Sequence, residues 1–180
     1  MRSGGSGLGS GLAAAAMFMV ALVALPQASF AKDDWGRAAN IKDAATRLAD
    51  LHRRQGSQGV LKFLDACYRT QTLASKYSAG LESCMAQDYM HSQVLAQIYA
   101  RIPQAERVRM GTPAPEDIAR AMGQRFVATF RQYKISTKEA EKFKKLVDVN
   151  GMPIFLKSVF PPRKPGEPDS EGDAGAASKN

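Results

Sequence analysis

The sequence predicts an all-α fold, a small single-domain bundle of about five or six helices with a disulfide between two successive helices. Three observations carry this. Apolar side chains recur at spacings of three and four, the period of one helical face, through most of residues 32–160. Interruptions of that pattern coincide with glycine, proline or a capping hydroxyl, which mark helix ends. The chain's two cysteines, Cys67 and Cys84, fall on consecutive helical stretches joined by a short turn.

The N-terminus precedes the bundle. Arg2 supplies a positive charge, and the apolar run Leu12 to Leu25 has the length of a signal h-region, shorter than a relaxed membrane span. Pro26 ends the run, and Ser29 and Ala31 put small side chains before a cleavage point. Residues 1–31 are therefore predicted to be a signal peptide, with Lys32 as the mature N-terminus and no stable membrane span after cleavage. The alternative is an uncleaved N-terminal membrane anchor, in which Ala28 helps extend the apolar helix past Pro26. Gly4, Gly5, Gly7, Gly9 and Gly11 join no strand to a helix, so a phosphate-loop reading lacks its context.

The helical domain is assigned to residues 32–160. Asp33 and Asp34 suit a helix start, and Ile41, Ala45, Leu48 and His52 follow on one face. Gly56 and Gly59 bracket a break, with Ser57 as a cap, before a second helix that aligns Val60, Leu64, Cys67 and Gln71. After a turn at 76–80 comes the longest helix, about 79–101, where Cys84, Asp88, His91, Leu95, Ile98 and Ile102 form one stripe and Met85, Tyr89, Ser92, Ala96 and Tyr99 its shoulder. Pro103 stops or kinks it.

Thr112 and two prolines lead to a helix with Glu116 and Asp117 in its first turn and Ile118, Met122, Phe126, Phe130 and Tyr133 along its core face. Ser136-Thr137-Lys138-Glu139 has capping-box spacing, and Ala140, Phe143 and Val147 form the apolar side of the helix it opens. Asn150-Gly151 is a stop, and Pro153 opens a last short helix bearing Ile154, Phe155, Val159 and Phe160. From 161 to 180 proline, glycine, serine and charge replace large apolar residues, which predicts a disordered tail.

Charge is concentrated in the domain. Residues 32–160 carry 21 basic against 13 acidic side chains, while the tail carries 3 against 4. Such a body is drawn to anionic surfaces, though surplus charge also serves solubility. Lys138, Lys142 and Lys145 share one outward side of their helix and Lys144 broadens it, so these four are the candidate binding residues, against the plainer reading of a solvated face. Arg101, Arg107 and Arg109 make a second cluster. Nucleic acid is not expected as a partner, because no recognition motif is present and export argues against it.

Two residues seventeen apart on antiparallel helices can meet, since each lies about 8–12 Å from the turn at the helical rise. Export makes a Cys67–Cys84 disulfide the expected state. There is no CxxC for redox work, no CxxCH for haem and too few thiols for structural zinc.

Asp88 and His91 stand three apart on one face, where a carboxylate can orient an imidazole, and Ser92 is adjacent. This invites a hydrolase, or a small-ligand site using Asp88 and His91. However, Ser92 points about 100 degrees from His91, and the pair lies within a core stripe, where mutual hydrogen bonding serves structure alone. No catalytic residue is assigned. His52, His91, Met85 and Met90 include copper-ligand types, but Met85 and Met90 diverge on a helix, so no metal site and no cofactor are assigned. The expected function is that of a noncatalytic periplasmic or secreted helical protein that binds a protein or an anionic envelope component.

Overall fold

The computed structural model describes residues 35–162, and every regular element among them is an α-helix. These are α1 (Arg37–Gln71), α2 (Ala79–Ala100), α3 (Gln104–Met110), α4 (Pro115–Gln132), α5 (Thr137–Asn150) and α6 (Met152–Val159). The expected signal peptide and nearly all of the expected tail lie outside the described residues.

α1 is two arms folded at one residue. Ala44 and Cys67 would stand about 35 Å apart on a straight helix. Both instead meet α2 within one turn: Gln87 Nε2 donates to the Ala44 carbonyl at 3.0 Å, and Cys67 is bonded to Cys84 with their Cα atoms 5.9 Å apart. The reversal is at Gly56, whose backbone (φ 61, ψ −169) is accessible to glycine and strained for any other residue.

α1 starts at Arg37, behind Gly36, and the expected helix start at Asp33 and Asp34 lies outside the described residues. The expected break between Gly56 and Gly59 is a single-residue hinge, since Gly59 stays helical and buried. With α1 folded, α2 is the longest uninterrupted helix, as its pattern predicts.

α2 is the centre of the bundle. Both arms of α1, together with α4, α5 and α6, pack around it, and every residue from Leu81 to Ser92 is buried. The stripe and shoulder expected from the sequence are therefore too narrow, because neighbours on several sides remove the distinction between an inner and an outer face. Around it the core is aliphatic near Ile41, Leu48, Val60, Leu81, Met85 and Met90, and aromatic where Phe126, Phe130 and Phe143 meet edge to face at about 6 Å. Gly151 is pressed against this core. A Cβ there would meet Met90 Sδ at 2.8 Å and Ile41 Cγ2 at 3.1 Å.

The remaining ends follow the local signals. Ser78 caps α2 by accepting from the Leu81 amide at 3.1 Å, and Pro115 and Pro153 lie in the first turns of α4 and α6. Ser136 accepts from the Glu139 amide at 3.3 Å, while the Glu139 carboxylate reaches Arg37 at 3.0 Å. α3 was not anticipated. It follows Pro103 directly, buries none of its residues and leaves Val108 and Met110 exposed, so no core-facing stripe announced it.

Candidate functional site

The disulfide predicted from helix positions is present: Cys67 on the second arm of α1 joins Cys84 on α2. Beside it, Tyr68 extends the same connection, its hydroxyl donating to Asp88 Oδ2 at 3.0 Å.

Asp88 is the hub of the polar core. It is 2 % exposed, and four donors converge on its two oxygens. Arg125 of α4 contributes Nε to Oδ2 at 2.9 Å and Nη2 to Oδ1 at 2.7 Å, Tyr68 adds its hydroxyl, and Ser92 Oγ donates to Oδ1 at 3.0 Å. The hydrogen bonds to Asp88 raise the Arg125 pKa, against the opposing effect of burial. Burial first, and the neighbouring carboxylate second, push the Tyr68 phenol far above its ordinary range.

Asp88, His91 and Ser92 thus lie close together, but not as a catalytic relay. Asp88 bonds Ser92 and not His91, and Nε2 of His91 has no hydrogen-bond partner among the described residues. His91 is 3 % exposed, and burial, reinforced by the nearby His52 and only partly opposed by Asp88, lowers its pKa to about 4. A base must be polarised by its orienting acid and must reach a nucleophile. Here the acid is saturated by an arginine, and the serine is a donor to that acid.

A second buried carboxylate, Glu82, escaped the sequence reading. It is fully buried near the start of α2 and accepts from Arg37 Nε at 2.5 Å and Trp35 Nε1 at 3.0 Å. In sequence Glu82 looks like an ordinary first-turn acid, and Arg125 like a surface arginine bordering an apolar stripe. The one available hint was that Arg125 follows Met122 by three and precedes Thr129 by four.

His52 packs edge to face on Phe155 with ring centres 5.7 Å apart, and Met85 and Met90 are fully buried. Among the described residues no three His, Cys, Asp or Glu side chains gather as a metal-binding group. Asp50, Arg53 and Arg54 line a surface depression, and neither Asp88 nor His91 is among its lining residues.

All four lysines of the candidate binding face are exposed, but they are not equivalent. Lys144 pairs with Asp148 at 2.6 Å and lies over the Tyr89 ring at 5.6 Å, and the hydrogen bond to Asp148 is the main cause of its raised pKa. Lys142 is 4.0 Å from Glu139. Lys138 and Lys145 form no ion pair among the described residues. The three arginines act separately: Arg107 donates to the Tyr99 and Ile102 carbonyls at the end of α2, Arg101 lies over Phe160, and Arg109 is 3.9 Å from Glu106.

Comparison with protein-family models, curated proteins and solved structures yields no match.

Proposed function

We propose that this chain is a noncatalytic, extracytoplasmic helical protein that binds a protein or an anionic envelope component. The observation that carries this reading is the direction in which its charge faces. The carboxylates of the central helix, Glu82 and Asp88, turn inward and are held by Arg37 and Arg125, while basic side chains without acidic partners, such as Lys138 and Lys145, stay outside. Chemistry at Asp88 would require a free lone pair and access for a substrate, whereas recognition of an anion requires only the exposed cations.

Export is supported by the disulfide, a bond that persists in oxidising compartments, together with the apolar run and small residues ahead of Lys32. No described helix is long and apolar enough to cross a membrane. Cell fractionation with terminal sequencing tests the location: the expected product is extracytoplasmic and starts near Lys32, and a full-length cytoplasmic product defeats it. Binding of the purified protein to envelope fractions tests the partner class. It is expected to weaken with salt and with glutamine at Lys138, Lys142, Lys144 and Lys145. Binding indifferent to both would point to an apolar or hydrogen-bonded interface.

A further inference from the structure

Two loops meet at one end of the bundle, and Tyr133 ties them. Its hydroxyl donates to the carbonyls of Thr72 at 3.2 Å and Ala74 at 3.1 Å, one on each side of Leu73. The backbone around Leu73 is thereby fixed, yet its side chain is 86 % exposed, more than that of any other large apolar residue among those described. Trp35, Tyr77 and Tyr133 form an aromatic row behind it, with successive ring centres 6.2 Å and 6.1 Å apart.

The same end carries four cations without acidic partners among the described residues. Residues 72–78 and 131–138 contain Lys76, Arg131, Lys134 and Lys138 and no acidic residue. None of the four forms an ion pair among the described residues. Arg37 pairs with both Glu82 and Glu139. Lys138 opens α5, and beyond it the lysines of that helix alternate with Glu139, Glu141 and Asp148. Lys134 adds a further sign. It occupies the left-handed region (φ 55) where the chain leaves α4, with the Ile135 amide bonded back to the Phe130 carbonyl, a position that favours glycine. The chain presents a lysine there in spite of its backbone.

We infer that this end of the bundle docks on an anionic phospholipid surface, with Leu73 inserted between headgroups and Lys76, Arg131, Lys134 and Lys138 contacting their phosphates. This rests on the anion-binding reading above and names its partner. A bilayer fits better than an acidic polysaccharide because a polysaccharide offers no apolar phase for a leucine held out in water. It fits better than a protein because Leu73 stands alone among cations and is not part of a contiguous apolar patch.

Vesicle co-sedimentation of the full chain tests the inference, comparing mixed phosphatidylglycerol and phosphatidylcholine vesicles with pure phosphatidylcholine. Binding to pure phosphatidylcholine is subtracted as the baseline, which removes an additive contribution of the N-terminal apolar run. Trp35, the only tryptophan, reports from the docking end by its emission. The expected result is a salt-sensitive preference for the anionic vesicles that falls about fivefold for each of Lys76→Gln, Arg131→Gln, Lys134→Gln and Lys138→Gln. Leu73→Ala is expected to weaken vesicle binding about tenfold while leaving binding to soluble dextran sulfate unchanged. Circular dichroism checks the fold of each variant. Preference lost with Lys142→Gln, Lys144→Gln and Lys145→Gln but kept with Lys76→Gln, Arg131→Gln, Lys134→Gln and Lys138→Gln overturns the inference, as does an unaffected Leu73→Ala. Binding to dextran sulfate without binding to vesicles overturns the lipid assignment and leaves the broader reading standing. Binding to neither removes both.

Discussion

Arg125 holds Asp88 from α4 through two guanidinium nitrogens, at 2.9 and 2.7 Å, on the carboxylate that Tyr68 reaches from α1. One buried charge thus ties three helices together. Arg125→Met leaves Asp88 with two neutral donors and is expected to lower unfolding free energy by about 2–3 kcal/mol. Asp88→Asn combined with Arg125→Met is expected to cost less than the sum of the single changes. A double-mutant cycle by urea denaturation measures this coupling, and strictly additive costs would show that the pair contributes none.

The disulfide and the Tyr68 hydroxyl fasten the second arm of α1 to α2, whereas the first arm is also held by α5 and α6. Reduction is expected to remove about 3 kcal/mol by the loop-entropy argument, with the helix content retained. The loss should be local: amide exchange in residues 57–71 is expected to accelerate more than in residues 37–55. Equal acceleration in both arms would mean that they open as one unit.

Folding α1 back at Gly56 requires a backbone that an L side chain adopts only under strain. No heavy atom crowds the place a Cβ would occupy, so Gly56→Ala isolates the conformational cost. That cost is expected to be about 1–3 kcal/mol, read as a lower denaturation midpoint. An unchanged midpoint would show that the hinge tolerates other dihedrals.

His91 sets a pH dependence. Its folded-state pKa of about 4 lies below the ordinary value of 6.5, so the unfolded chain binds a proton more readily between these values. The contribution of the neutral imidazole is complete above about pH 6.5 and falls progressively toward pH 4, by on the order of 3 kcal/mol at most. Denaturation midpoints at pH 7 and pH 4.5 are expected to differ more for the parent chain than for His91→Leu. Equal differences would place the acid sensitivity elsewhere.

Much of the architecture is legible in the residues because its causes are local. Ser78, Ser136, Pro115 and Pro153 mark helix starts through hydrogen bonds and dihedrals that involve only their sequence neighbours. The spacing of Phe143 and Val147 fixes which side of α5 is buried, and the positions of Cys67 and Cys84 beside one turn make their pairing predictable. α3 buries none of its residues and so carries no such pattern.

Five of the six helices, the buried side of α5 and the disulfide are readable from the residues alone, because each depends on interactions within a few turns of chain. Tertiary structure decided which polar residues share a partner. Asp88 was legible as a buried acid on α2, but its companion was read as His91, three residues away, when it is Arg125, thirty-seven residues away. Likewise Glu82 meets Arg37 only because α1 folds back at Gly56 and brings its first turn to the start of α2. The basic end is a product of the same kind, since the Tyr133 hydroxyl joins the loop that carries Lys76 to the chain segment that carries Lys134. A buried charge or an exposed patch is completed by whichever helix packs beside it, and periodicity along one helix says nothing about its neighbour.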